Sequence, residues 1–396
     1  MPPKCRMKEE LLHNLTKNIL PYWINKSVDP KGGFYGRIDG FDEIDEKAPK
    51  GAILNARILW SFAAAYRLTG DKQYLELATR ARDYILDYFI DKEFGGVFWS
   101  LNADGSPLDT KKQFYAIGFT IYGMSEYARA TGDKTALEVA LQLFETIEKH
   151  SRDFKRGGYF EASKRNWDPI EDMRLSDKDE NAAKTMNTHL HILEPYTNLL
   201  RLVPDNLKLR EAVVSLINIF LDKIEDQNTH HLGLFFDENW ERRDNEISYG
   251  HDIEASWLLL EAAMVVNDSE LLEKTLAHTR KIAMAALEGR CHDGSMIYER
   301  HGNGHYDNEK HWWVQAENVV GQLYLWKLHG MKDMFDKALQ SWRYINEKIV
   351  DRENGEWFWS RRGNEINRSE DKAGFWKCPY HNSRMCIEII NLLNQK

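Results

Sequence analysis

The chain has 396 residues, with 62 acidic against 53 basic side chains for a net charge of −9, and its Lys and Arg are scattered without any basic run. That balance speaks against a nucleic-acid or anionic-membrane partner and fits a neutral small-molecule substrate. The four cysteines, Cys5, Cys291, Cys378 and Cys386, lack zinc-ligand spacing and are expected as free thiols of a reducing compartment.

The first stretch, MPPKCRMKEELLHNL, carries charges where a signal peptide would need its apolar segment. No apolar run approaches the roughly 18 residues of a membrane span, so a cytoplasmic protein is expected. Aromatic residues are plentiful, with 13 Trp, 17 Tyr and 17 Phe. Most must fill a core, but a surplus of this kind also suits a sugar site.

A Gly-centred turn flanked by aromatic or β-branched residues recurs six times along the chain, at Gly33, Gly96, Gly158, Gly233, Gly294 and Gly355. The period is about 62 residues, the signature of a repeat architecture. A second marker keeps the same period. Gly or Asn followed by Asp opens amphipathic stretches from Thr69, Thr131 and Val266, and variants of the pattern open others from Val203 and Gly330. Their apolar residues recur at three and four positions, as on a helix with one buried face.

Each unit therefore predicts two helices and a short β-hairpin-like turn, and no single unit can bury its own apolar face. No polar end caps of an open solenoid are visible, so the expected fold is all-α, an (α/α)6 barrel of six helical hairpins. Residues 1–396 are expected to form a single domain. No additional apolar helix is visible, so a monomer is expected.

If the first helix of each unit lines a central cavity, its N-terminal part should carry residues that make poor sense as plain core. In chain order these are Arg57; Tyr115; Asn187, His189 and His191; His251 and Glu254; Trp312, Trp313, Gln315 and Glu317; and Trp376, His381 and Arg384. Arg57, Tyr115, Asn187, His251, Trp313 and His381 follow the structural period and would form a ring at one end of the barrel. Such a ring is what recognition of a polar ligand in a cavity requires. Singly, each residue has a plain explanation as a cap, an ion pair or core, and the shared phase is what favours a site. His251 and Glu254 are three apart on one helical face, which predicts a carboxylate orienting an imidazole for general-base work. The HDIEA segment is not HExxH, and His191, His251 and His381 belong to three separate helices, so no metal is expected. No Gly-rich phosphate loop is present, and no cofactor is expected.

Over essentially its full length the chain resembles the cellobiose 2-epimerase branch of the N-acylglucosamine 2-epimerase family. The resemblance rests on RILW around Arg57, TMNTHLH at Asn187 to His191, SYGHDIEA around His251, WWVQAE from Trp312 and WKCPYHNSRM around His381. It implies an acid/base pair of His251 and His381, with Arg57, Asn187, His191 and Glu254 around the reacting carbons. Tyr115, Trp312, Trp313 and Trp376 would contact the sugar. Thr188 and His189 depart from the small or aliphatic residues common there, so His189 is left out of the site. The implied reaction is reversible inversion at C2 of the reducing-end glucose of a β1,4-linked disaccharide, cellobiose to glucosylmannose with lactose to epilactose beside it. Monosaccharide epimerisation and aldose–ketose isomerisation are the alternatives within the family. An inverting glycoside hydrolase, for which Glu254 and Asp237 would have to serve, and a non-catalytic sugar-binding protein are rivals outside it.

Overall fold

The computed structural model describes residues 2–395. Six long helices line the inside: α2 (Ala52–Thr69), α4 (Phe114–Thr131), α6 (Met186–Leu200), α8 (Tyr249–Val266), α10 (Trp312–Lys327) and α12 (Tyr380–Asn394). Six others form the outer layer: α1 (Pro3–His13), α3 (Lys72–Tyr84), α5 (Lys134–His150), α7 (Leu207–Ile219), α9 (Ser269–Ala286) and α11 (Met334–Tyr344). Each inner helix packs on the next and α12 packs back on α2, so the ring is closed. The expected (α/α)6 architecture is therefore the one observed.

Composition separates the layers. The first fourteen residues of α2 are all buried, as in a helix with neighbours on every side, whereas α3 buries only one stripe, Tyr74, Ala78, Ala81 and Tyr84. The Gly–Asp marker joins the two layers. Gly70 ends α2 in the left-handed region at φ 74°, a conformation open to glycine without a Cβ clash, and Asp71 then caps α3 by accepting from the Gln73 N–H. Asp133 and Asp268 cap α5 and α9 in the same way. After Val203 the cap is Asn206, and Asp333 makes no side-chain cap bond, so the two variant markers depart from the scheme locally.

Each unit's turn folds back on itself through a single antiparallel bridge, from Val28 with Phe34 to Val350 with Trp357; in the fourth, Glu225 pairs with Leu232, so Gly233 lies just past the turn and His230 takes the left-handed conformation at φ 63°. The short strands join neighbouring units. Lys50–Gly51 pairs with Ser100–Leu101, Lys112–Gln113 with Ala162–Ser163, Lys184–Thr185 with Phe235–Phe236, Ile247–Ser248 with Glu299–Arg300, and Lys310–His311 with Ser360–Arg362. An Ile38–Ala373 bridge makes the sixth link and closes the circle.

The sixth hairpin differs from the simple repeat because it is made by the two ends of the chain, with α1 packed on α12. Indole donors staple the junction. Trp357 Nε1 donates to Asn14 (3.0 Å), Trp342 Nε1 to Glu10 (2.8 Å) and Trp23 Nε1 to Glu356 (2.5 Å).

Four units share one buried ion pair at the strand that feeds the inner helix. Lys50, Lys112, Lys184 and Lys372 reach Asp29, Asp91, Asp153 and Asp351 at 2.7–2.8 Å, and each ammonium also donates to a turn carbonyl, of Gly32, Gly95, Gly157 and Gly355. These clamps fix the end of the barrel at which the inner helices begin. None of the described helices is long and apolar enough to cross a membrane.

Candidate active site

The first turns of the inner helices point into that end of the barrel. Among residues 186–200 and 249–263, nearly all buried, Asn187 and His251 are two that keep partial exposure. Asn187 Oδ1 has no hydrogen-bond partner in the protein. A buried amide oxygen left open in this way is available to a ligand hydroxyl.

His251 and His381, 130 residues apart in sequence, face one another across Trp313, whose ring centroid lies 4.7 Å from the first imidazole and 5.5 Å from the second. Local packing puts the indole there. Gly250 leaves room for it, since a Cβ at that position would meet the Trp313 ring at 2.6 Å. His191 joins from α6, its ring 5.0 Å from Tyr115 and 4.9 Å from Phe119. Pro195, four residues on, removes the N–H that the His191 carbonyl would have accepted in an unbroken helix.

All three imidazoles are tied through Nδ1, and no protein group hydrogen-bonds their Nε2 atoms among the described residues. His191 Nδ1–H donates to Glu194 at 2.6 Å, His381 Nδ1–H to Glu317 at 2.7 Å, and His251 Nδ1 shares a hydrogen bond with the Ser248 hydroxyl at 2.7 Å. Burial depresses the pKa values of His251 and His381 to about 3 and that of His191 well below its ordinary value. Arg57 pushes all three the same way, and Glu317 opposes it. Near neutrality each imidazole is therefore uncharged, with Nε2 free to accept a proton.

Arg57 has an unusual environment for a buried cation. It makes no salt bridge among the described residues. Nη2 donates to the Tyr115 hydroxyl (2.9 Å), Nη1 approaches Cys378 Sγ (3.7 Å), and the guanidinium lies over Phe119 (4.2 Å) and Tyr380 (4.9 Å). Its Nε is unpartnered. Burial alone would lower its pKa, but Tyr115, Cys378 and Tyr380 raise it, so the positive charge persists. A desolvated cation without a counter-ion is placed to hold a developing oxyanion. Trp376 closes this side, 6.0 Å from the Tyr115 ring.

Glu254 departs from the expected pairing. It does not orient His251, whose Nδ1 is taken by Ser248; its Oε1 instead accepts from Arg384 Nη2 at 2.5 Å and lies 3.8 Å from His381 Nδ1. The cause is Arg384, a buried guanidinium beneath the site that draws in Glu254, Glu317 (2.6 Å) and Glu194 (2.5 Å) together. Trp312 also differs from its neighbour. Its ring lies against Trp359 (4.6 Å) under the Lys377 ammonium and 6.4 Å from His381, so it backs the histidine, whereas Trp313 bridges the two imidazoles. His189 is spent on structure, holding the Thr185 carbonyl through Nδ1 and accepting the Tyr159 N–H at Nε2.

Glu254, Glu317 and His381 are the one group among the described residues whose ligand atoms could converge on a metal ion. Two of the three are already hydrogen-bonded by the Arg384 cation, which does not suit a second positive charge there. A surface depression of about 630 Å³ around Cys291 and Lys337 on the outer wall is lined by none of the three imidazoles.

Ser248, Glu194, Tyr380 and Cys378 are not among the residues that the sequence pattern singles out, and it singles out Glu317 and Arg384 without a role. Glu194 carried a usable signal, because it follows His191 by the same three residues that separate His251 from Glu254. No spacing rule links Glu317 to His381.

Comparison with known proteins bears on the family and the fold. Residues 33–383 match the model of the N-acylglucosamine 2-epimerase family. The chain belongs to that family. It is 55% identical to a cellobiose 2-epimerase of Bacteroides fragilis over 97% of its own length and 98% of the relative's. A cellobiose 2-epimerase of Ruminococcus albus is 39% identical over the same shares of the two chains. The solved cellobiose 2-epimerase of Spirochaeta thermophila superposes with a TM-score of 0.93 at 38% identity, covering 99% of this chain and 98% of that one.

Proposed function

We propose that the chain is a cellobiose 2-epimerase, inverting C2 of the reducing-end glucose of β1,4-linked disaccharides, cellobiose to glucosylmannose and lactose to epilactose. The observation that carries this reading is the pair of uncharged imidazoles, His251 and His381, packed on one indole with a counter-ion-free Arg57 beside them. Full-length identity of 55% to a cellobiose 2-epimerase supports the disaccharide over a free monosaccharide.

The C2 hydrogen of an aldose becomes acidic after the ring opens to the aldehyde, so protons must first move between O1 and O5. His191, with Glu194 behind it, is within the same cavity and suits that step. One imidazole Nε2 then takes the C2 proton; the C2–H electron pair passes into the C1–C2 bond and the carbonyl π pair onto O1, giving an enediolate that Arg57 stabilises. The second imidazole, protonated at Nε2 from water for this step, delivers that proton to the opposite face of C2; the first imidazolium returns the abstracted proton to water, and ring closure restores the pyranose. Acid/base help of this kind is worth roughly 10²–10⁴-fold, and a fixed donor on the enediolate oxygen a further factor of about 10²–10³. Glu317 raises the basicity of His381, whereas Ser248 gives His251 only a hydroxyl, so the two bases are not equivalent. Asn187, Tyr115, Trp313 and Trp376 would bind the sugar hydroxyls and faces. Four free thiols suit a cytoplasmic location.

Incubation with cellobiose in heavy water, followed by NMR, tests the reading. The expected product is the mannose-ended disaccharide with deuterium at C2 of the reducing sugar and unchanged linkage. Release of monosaccharide, or recovery of cellobiose without isotope, would overturn it.

A further inference from the structure

The polar network under the imidazoles contains more carboxylates than the acid/base reading uses, and one cation gathers them. Arg384 lies three residues past His381 on α12, fully buried among α6, α8, α10 and α12. Nη1 donates to Glu194 Oε2 at 2.5 Å and contacts the Tyr380 hydroxyl, while Nη2 donates to Glu254 Oε1 at 2.5 Å and Glu317 Oε1 at 2.6 Å. Tyr380 itself donates to Glu194 Oε2 at 2.5 Å.

Two of those carboxylates stand behind imidazoles. Glu194 is held between Arg384 and His191 Nδ1, and Glu317 between Arg384 and His381 Nδ1. We propose that Arg384 is a positioning residue shared by both imidazole–carboxylate pairs, fixing Glu194 and Glu317 at once and thereby linking the proton affinity of His191 to that of His381. The inference rests on the acid/base reading above and deepens it.

Charge counting explains why the link is strong. Three carboxylates surround one guanidinium in a desolvated pocket, and like charges at such distances cannot all be ionised together. Glu254 Oε2 is buried without any partner. Glu317, beside Arg384 and His381, is held down to about 2, whereas burial pushes Glu194 and Glu254 above the ordinary carboxylate range. The single positive charge is thus spent mostly on Glu317, and changing any carboxylate changes its share for the others.

Groups facing His381 from the packed helices are Arg57 (α2), Glu194 (α6), Glu254 (α8), Glu317 (α10), and Tyr380 and Arg384 (α12). His191 is faced by Arg57, Tyr115 (α4), Glu194, His251 (α8), Glu317 and Arg384. Removing the Arg384 charge leaves anionic neighbours less compensated, so the imidazolium forms more readily. Removing the Glu194 charge frees Arg384 to neutralise Glu317 further, with the opposite sign.

The test is kcat and KM for cellobiose across pH in Arg384→Gln, Arg384→Lys and Glu194→Gln, with folding checked by thermal melting. For Arg384→Gln the acid limb of kcat/KM should move up by about one pH unit, and for Glu194→Gln down, because opposite charges have been deleted. Arg384→Lys keeps the charge but loses the fork, so its acid limb should stay while kcat falls at least about 10-fold with KM little changed. Where Arg384→Gln does not fold, Arg384→Lys and Glu194→Gln carry the test. An unmoved acid limb in Glu194→Gln, together with near-normal kcat in the folded Arg384 variants, would overturn the proposal. Failure of the acid/base reading is distinguishable, since His251→Ala and His381→Ala would then stay active whatever the Arg384 variants do.

Discussion

Two sets of buried ion pairs occupy the same end of the barrel, and they are built on opposite plans. In the clamps, Lys112 and its counterparts each meet the same aspartate and turn carbonyl of their unit, a pattern repeated four times, with Arg165 added at Asp91, Asp42 at Lys372 and the Glu238 carbonyl at Lys184. In the floor of the cavity, three glutamates share Arg384, Arg57 has no counter-ion, and Asn187 Oδ1, Arg57 Nε and Glu254 Oε2 lack partners. Satisfied, repeated pairs belong to the scaffold. Unsatisfied, unrepeated ones mark where a ligand completes the hydrogen bonding, because an orphaned buried polar group otherwise costs free energy with no return. The contrast also separates stability from activity as properties of different residues in one small volume.

The sharpest way to break that separation is to remove the imidazoles. His381→Ala and His251→Ala should each lower kcat for cellobiose by about 10²–10⁴-fold, with melting temperature preserved; measurable turnover near wild type in either would dissolve the site half of the comparison. At the other pole, Lys112→Met leaves Asp91 buried without its ammonium, although Arg165 still reaches that carboxylate. Denaturant unfolding should show a loss of about 3–5 kcal/mol, while kcat of the folded fraction stays within a few-fold.

Sequence spacing reads the two regions unequally. The six turns, the Gly–Asp junctions and the inner-helix residues from Arg57 to His381 follow from periodicity, and resemblance adds the roles of the histidines. The sixth hairpin was harder to foresee, because its two helices come from opposite ends of the chain. Glu317 and Arg384 were visible as misplaced polar residues but acquired meaning only when α8, α10 and α12 met, since contacts across helices obey no local spacing. Glu254 shows the cost of relying on local spacing: the i, i+3 rule paired it with His251, and a buried guanidinium from another helix took it instead.

Smaller effects sharpen the boundary. Glu317→Gln keeps the shape behind His381 but removes the charge that fixes its tautomer, and kcat should fall about 10–100-fold, measured beside an unchanged KM. Ser248→Ala removes only a neutral hydrogen bond to His251, about 0.5–1.5 kcal/mol, so kcat should drop by no more than about tenfold. The pH dependence of folding gives a further check. His251 and His381 have folded pKa values depressed below the unfolded value, to about 3, so their stabilising contribution is complete above the unfolded pKa, about 6.5, and is lost as pH falls from there toward about 3. The midpoint of thermal unfolding should decline over that window, and the decline should shrink in His251→Ala.

The most direct measurement is a crystal structure with a disaccharide whose reducing end has been reduced to the alditol, which cannot be deprotonated at C2. Its C2 is predicted to lie between the His251 and His381 Nε2 atoms, with the neighbouring O1 toward Arg57. A sugar seated on the outer wall, or a C2 within reach of only one of the two imidazoles, would contradict the account.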